Sequence, residues 1–353
     1  MKNSRLITII VLLSSYVFLT LQTAQACTRA VYLGPKDTIL TARSMDWGGP
    51  IGTNLWVFPK GIKHSGAAGP NSIEWTSKYG SVIASVFDAA TADGMNEKGL
   101  VTNLLYLAET QYPDPGHNDK RKPLSISLWA QYVLDNYATV AEAVADLSKE
   151  TFYVVPTMTP DGHPGQVHLS ISDPTGDSAI FEYMDGKLVI HHGRQYQVMT
   201  NSPFYDQQLA LNSYWEEIGG LIMLPGTSRA ADRFARASFY INSIPQTDNI
   251  TTALAGIFSV IRDVSAPLGL STPGKPNIAA TLWRSVSDHK NLTYYFESTS
   301  TPNVFWINFK DLDFNAGKPI KKLTITEGAI YAGNVAKQFV DTPSFVFLPA
   351  KKA

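Results

Sequence analysis

The sequence predicts an α+β protein built of two packed antiparallel sheets with helices on their outer faces. Three observations carry this. The segments Val167 to Ser172, Ser178 to Tyr183 and Lys187 to His191 alternate in polarity and are separated by the turns Asp173-Pro174-Thr175-Gly176-Asp177 and Met184-Asp185-Gly186, the pattern of an antiparallel meander. A second strand block, Thr281 to Ser287, Leu292 to Ser298 and Asn303 to Asn308, follows later in the chain. Each block has helix-like segments of its own, so the sheets can cover each other on one face and carry helices on the other.

Taken in order, residues 1–26 read as an export leader. Lys2 and Arg5 form a positive start, Leu6 to Leu21 is apolar, and Ala24-Gln25-Ala26 fits a small-x-small cleavage site. The apolar run is shorter than the ~18–20 residues that span a bilayer, so an uncleaved anchor is disfavoured and a periplasmic or secreted product without stable membrane association is expected. Residues 27–353 show no internal repeat, low-complexity linker or boundary, and are expected to form one catalytic domain with a substantial core. Thr28 to Leu33, the turn Gly34-Pro35-Lys36-Asp37, and Thr38 to Arg43 predict a hairpin that begins beside Cys27. Tyr79 to Phe87 and Leu100 to Leu107 predict two strands flanking Ala92 to Gly99, a turn-rich connector. Asp114 to Lys122 is a polar loop. A helix is predicted from Pro123, with Leu124, Leu128, Tyr132 and Val133 at helical spacing, and another over Val140 to Leu147 with Thr139 as N-cap. Two more helices are predicted over residues 226–244 and 249–264.

The formal charge is −1, and loss of Lys2 and Arg5 with the leader makes it −3 before the new terminus is counted. No basic run suggests nucleic acid and no acidic tract suggests a disordered tail. A small neutral or weakly anionic substrate fits this balance. His191-His192 is no metal pair, because adjacent strand residues point to opposite faces, and the glycines between Gly94 and Gly99 do not form a phosphate loop.

Cys27 is the only cysteine in the chain, so no intramolecular disulfide can form, and it falls directly after the cleavage pattern. Cutting after Ala26 would leave a thiol and a free α-amino group on one α-carbon. A thiol near pKa ~8.5 and an α-amine near ~7.7–8 both titrate close to neutrality. The amine can therefore take the thiol proton, directly or through one water, as the amine of an N-terminal threonine does. No histidine is needed. Lone cysteines are commonly inert small hydrophobes, but a core residue has no reason to sit at a cleavage point. A lipidated cysteine also follows a leader, yet lipidation normally wants Leu three residues earlier, where this chain has Ala24.

Around Cys27 stand Arg43-Ser44-Met45-Asp46, Ala92-Asp93-Gly94-Met95-Asn96-Glu97-Lys98-Gly99-Leu100, Thr200-Asn201-Ser202-Pro203 and Asp232-Arg233-Phe234-Ala235-Arg236. In this order and spacing they resemble the choloylglycine hydrolase family of N-terminal nucleophile hydrolases, which contains penicillin V acylases and conjugated bile acid hydrolases. The likeness runs from residue 27 to about 240, with a looser match through the later strands. It implies a four-layer αββα sandwich, often tetrameric, that cleaves a small acyl amide through a thioester and uses no metal or cofactor. Cys27 would be the nucleophile. Arg43 and Asp46 match the family's Arg-x-x-Asp motif. A carboxylate at Asp46 would accept hydrogen bonds from the α-ammonium, and Arg43 would lower the thiol pKa by its charge. Asn201 matches an oxyanion-hole donor whose partner is a backbone N–H placed near Tyr106. Tyr106 stands where bile-acid enzymes tend to carry asparagine and penicillin V acylases tyrosine. Arg233 matches the second active-site arginine, Arg236 is assigned to the surface or an ion pair, and Trp47 to the wall of an acyl pocket or to the core. The resemblance ranks penicillin V-like acyl amides before N-acyl homoserine lactones, and both before conjugated bile acids. The rival from another class is a lipid-anchored binding protein, in which acylation of the Cys27 amine would remove the base.

Overall fold

The structure is a computed structural model and describes residues 27–351 except 117–118, 273–274, 302 and 327, so the predicted leader lies outside the described residues. The N-terminal hairpin forms as the turn signal requires. Strand Cys27–Leu33 pairs antiparallel with Ile39–Asp46 in an unbroken register from Cys27 opposite Met45 to Leu33 opposite Ile39. Lys36 and Asp37 take the positive φ that reverses the chain. This hairpin lies inside a seven-stranded sheet, between the short strand Val198–Met199 and strand Thr281–Asp288, beyond which come Thr293–Ser298, Val304–Asn308 and Gly333–Asn334.

The predicted meander forms one side of a nine-stranded sheet. Its order is Lys187–His192, Ser178–Met184, Val167–Ser172, Val101–Tyr106, Ala90–Asn96, Ser81–Val86, Leu55–Phe58, Lys321–Leu323 and Val340–Asp341. Side chains separate by face with the period-2 alternation of a strand. Ile180 joins a core shared with Ala30, Tyr32 and Leu40 of the first sheet, whereas Ala179, Phe181 and Tyr183 pack with Trp129 and Val133 under helices Trp129–Asn136 and Val140–Leu147. Helices Ala230–Ser243 and Ile250–Asp263 cover the other face of the first sheet, where Phe234, Ile241, Ile257 and Ile261 are buried. The layers are therefore helix, sheet, sheet, helix, the αββα sandwich.

Two local expectations are corrected. Ala92 to Asn96 belongs to a fully buried strand in the middle of the nine-stranded sheet, and only residues 97–99 turn. Its small residues, which suggested a loop, serve close packing. A Cβ on Gly94 would come within 2.8 Å of both Ile83 Cγ2 and the Val82 carbonyl oxygen. The helix predicted from Pro123 starts later. Lys122–Ser125 is a strand paired in parallel with Phe152–Val155, a 3-10 turn follows, and the α-helix begins at Trp129, because Ser125 caps the turn with its side chain. Helix Tyr205–Ile218 was not foreseen. It buries only Tyr205, Gln208 and Asn212, so it carries little apolar periodicity.

Candidate active site

The two strands of the hairpin bring Cys27, Arg43 and Asp46 to one end of the first sheet. The Cys27 side chain is only 2% exposed, with Sγ 3.9 Å from Arg43 Nη2 and 3.8 Å from the Asp46 carbonyl oxygen. Burial pushes the thiol up, and the Arg43 charge opposes that rise.

Arg43 is itself fully buried, which demands partners for its five donors. Nη1 donates to the Ala92 carbonyl at 2.9 Å and Nη2 to the Leu104 carbonyl at 3.0 Å, so the second sheet holds the guanidinium against the thiol. The Trp283 ring lies under it, 4.7 Å from Cζ to the ring centroid. Its countercharge is Asp93, whose Oδ2 is 3.7 Å from Nη1. Asp93 accepts from Asn103 Nδ2 at 2.6 Å and from the Tyr294 hydroxyl at 2.5 Å. Asp93 lies within one of the motif segments, but nothing in its local sequence shows that it faces Arg43.

Asn201 and Arg233 close the other side. The backbone nitrogen of Cys27 donates to Asn201 Oδ1 at 2.5 Å, and Asn201 Nδ2 donates to the Tyr106 carbonyl at 2.7 Å. Arg233 Nη2 donates to the same Oδ1 at 2.9 Å, while Nη1 donates to the Cys27 carbonyl and to Thr28 Oγ1, each at 2.5 Å. In this chain the Cys27 nitrogen is an amide joined to Ala26, and it donates to Asn201 and not to the Asp46 carboxylate expected for an ammonium. Asp46 accepts instead from Thr281 Oγ1 at 2.5 Å, and its buried Oδ2 has no hydrogen-bond partner among the described residues. Burial raises the Asp46 carboxyl to about 6, against the lowering effect of Arg233, Thr281 and Arg43. Arg236, assigned above to the surface or an ion pair, is buried: its Nε pairs with Asp263 at 3.3 Å and its Nη1 donates to the Pro225 and Thr227 carbonyls.

Cys27 opens onto a cavity of about 80 Å³ whose walls include Arg43, Trp47, Phe87, Tyr106 and Leu348. Trp47 meets Phe87 and Tyr106 edge-on at 6.3 Å and His163 at 5.8 Å, and its Nε1 donates to Asp161 Oδ2 at 2.7 Å. An aromatic slot thus stands against a thiol, with the Tyr106 hydroxyl turned to Gln166 Oε1 at 3.2 Å. Among the described residues no group of three or more His, Cys, Asp or Glu is placed to hold a metal ion.

The loop that carries Asn201 is fixed from behind. Gln208 Nε2 donates to the Asn201 and Ser202 carbonyls, and Glu182 Oε2 accepts the Tyr205 N–H at 3.0 Å. Burial alone would raise the Glu182 carboxyl, but the 2.9 Å hydrogen bond with His168, the nearby His191 and the Tyr205 N–H hold it at about 2. A carboxyl depressed from 4.5 to about 2 contributes stability above pH 4.5 and loses it as the pH falls toward 2. Glu182→Gln is therefore expected to cost roughly 2–3 kcal/mol at neutral pH and progressively less on acidification through that window. Urea denaturation of both proteins between pH 2.5 and 7 measures this, and a pH-independent difference would refute it.

The profile of linear amide C–N hydrolases, choloylglycine hydrolase family, matches residues 27–322. The chain belongs to this family. It is 50% identical to a penicillin V acylase of Pectobacterium atrosepticum (strain SCRI 1043), over 98% of this chain and 99% of the relative. The structure of penicillin V acylase from Agrobacterium tumefaciens superposes with a TM-score of 0.84 at 57% identity, covering 91% of this chain and 99% of that one. The conjugated bile acid hydrolase of Clostridium perfringens shares the fold, with a TM-score of 0.73 at 23% identity over 85% and 97%. As a choloylglycine hydrolase family member the chain is a hydrolase of linear amides, and the Cys27 that opens the matched region is the residue around which Arg43, Asn201 and Arg233 converge.

Proposed function

We propose that this family member is an exported amidase of the penicillin V acylase type, made catalytic by cleavage after Ala26. The observation that carries this is the aromatic pocket of Trp47, Phe87 and Tyr106 beside the Cys27 thiol, which suits the flat phenoxy group of penicillin V. The high identity to a penicillin V acylase supports it.

Cleavage turns the Cys27 amide nitrogen into an amine on the nucleophile's own residue. The amine takes the thiol proton as Sγ attacks the substrate carbonyl carbon. Asp46, whose Oδ2 lacks a partner among the described residues, is the nearby acid that would accept from the resulting ammonium. Asn201 Nδ2, now donating to the Tyr106 carbonyl, would serve the oxyanion together with a backbone N–H near Tyr106. Collapse expels the amine, which leaves with the proton from the Cys27 ammonium, and a thioester remains. Water then attacks that thioester, releasing the carboxylic acid and restoring the thiol.

Asn201→Ala is expected to lower kcat by about 10²–10³, as read by steady-state release of 6-aminopenicillanate. An effect on KM alone would remove Asn201 from the oxyanion site. The test of the function itself is the relative kcat/KM for penicillin V, an N-acyl homoserine lactone and a glycine-conjugated bile acid, with penicillin V expected first. The lactone is the second reading, favoured by the apolar stretch of the pocket at Ile126 and Val167. A homotetramer is also proposed. Leu221, Ile222 and Met223, at 94, 83 and 58% exposure between helices Tyr205–Ile218 and Ala230–Ser243, give it an apolar contact surface, and light scattering on the purified enzyme reads the number of copies.

A further inference from the structure

The family profile matches only to residue 322, yet Leu348, beyond it, lines the active-site cavity. Residues 345–350 form an irregular strap tied down on both sides. Phe345 is buried edge-on against Trp56 and Phe58, at 4.8 and 5.7 Å, and Phe347 lies over Phe58 at 6.4 Å. The Leu348 N–H donates to the Ala89 carbonyl at 2.8 Å, and its carbonyl accepts from Ser125 Oγ at 2.8 Å and Ser127 Oγ at 2.7 Å. One residue on, the Pro349 carbonyl accepts from Thr157 Oγ1 at 2.7 Å and the Ala350 N–H donates to the Ala67 carbonyl at 2.7 Å.

Both backbone polar groups of Leu348 are thus bonded to different parts of the protein, which fixes the direction of its half-buried side chain at the cavity wall. Val346, two residues earlier, is 74% exposed. The strap also decides the chemistry of its surroundings. Ser127 and Thr157 line the same cavity, and their hydroxyls are taken up by strap carbonyls, so the pocket is left with their carbon atoms.

We propose that this strap determines acyl-group specificity, with the Leu348 side chain limiting the bulk and length of acyl group that can lie beside Cys27. The proposal rests on the cavity being the acyl site of the amidase. It predicts that the enzyme favours compact aryloxyacetyl groups over long alkanoyl groups because Leu348 occupies the space that the latter need. A single methylene in an apolar pocket changes specificity by about 10–200-fold, so removing three carbons at Leu348 has a readable effect.

The experiment compares kcat/KM for p-nitroanilides of phenoxyacetic, hexanoic and decanoic acids, which share one leaving amine, in the full-length enzyme and its variants. Leu348→Ala is expected to raise the decanoyl to phenoxyacetyl ratio by at least about tenfold and Leu348→Trp to lower it, while Val346→Ala leaves it unchanged. Should Leu348→Ala fail to fold, as judged by its melting temperature, Leu348→Val carries the same test with a smaller shift. Ratios unchanged in folded Leu348 variants, or equal changes for all three substrates, would overturn the assignment. A wild type inactive on these anilides and on penicillin V would overturn the acyl-site reading and the strap with it, an outcome distinct from unchanged ratios in an active enzyme.

Discussion

Replacement of Cys27 by alanine is expected to lower kcat/KM for amide hydrolysis by a factor on the order of 10⁴–10⁶, the scale of loss when the nucleophile is taken from a unit whose members act together, even though the α-amine remains. The thiol lines the cavity with a guanidinium 3.9 Å away, and the base proposed for it is the amine of the same residue. Cys27→Ser should retain the geometry while keeping little turnover, because a hydroxyl is a far weaker nucleophile at neutral pH than a thiol. The measurement is penicillin V hydrolysis by wild type and both variants, together with the intact mass of each protein recovered from an exporting host. A wild-type chain that starts at an unmodified Cys27, and variants that start at residue 27 yet are inactive, would establish the mechanism. A lipid-bearing Cys27 would instead favour the anchored binding protein, and full activity in Cys27→Ala would sink the nucleophile assignment.

Loss of Asp93 is expected to have the largest effect on stability. Arg43 is fully buried, and the carboxylate 3.7 Å from it is its ion-pair partner among the described residues. Removing one member of a buried pair strands the other charge and costs about 3–5 kcal/mol. Asp93→Ala should therefore lower the urea midpoint without changing the slope. It should also lower kcat, since the guanidinium held beside Sγ would shift. Burial raises the Asp93 carboxyl, and the Arg43 charge opposes that rise. The double variant Arg43→Leu/Asp93→Leu is expected to recover part of the stability but none of the activity, because the stranded charge is gone while the thiol has lost its cation. Additive losses in the double variant would mean that the two residues do not act as a pair.

Much of the fold could be read from local pattern. The hairpin after Cys27, the meander from Val167 and the strands from Thr281 appear within three residues of their predicted limits, since alternation and turn chemistry act over a few residues. Ala90–Asn96 could not be read in this way. Its small residues suit a turn in isolation and close packing in a sheet, and only the neighbours Val82, Ile83 and Leu134 decide between them. Helix Tyr205–Ile218 was hidden for the opposite reason, with too few buried positions to set a period.

The candidate site divides along the same line. Cys27, Arg43 and Asp46 lie on adjacent strands of one hairpin, so their meeting is fixed by a short turn and its register. Asn201 and Arg233 reach Cys27 across 174 and 206 residues, Asp93 reaches Arg43 from the opposite sheet, and Leu348 reaches the pocket through bonds to residues more than 220 positions earlier. Residue type and spacing over a few positions were enough to single out the cysteine at the start of the family match, the motif segments and the alternating strands. Which carboxylate faces which arginine, and that Leu348 stands in the wall of the Cys27 cavity, was decided only by tertiary structure, since packing joins side chains whose separation along the chain carries no trace of their contact.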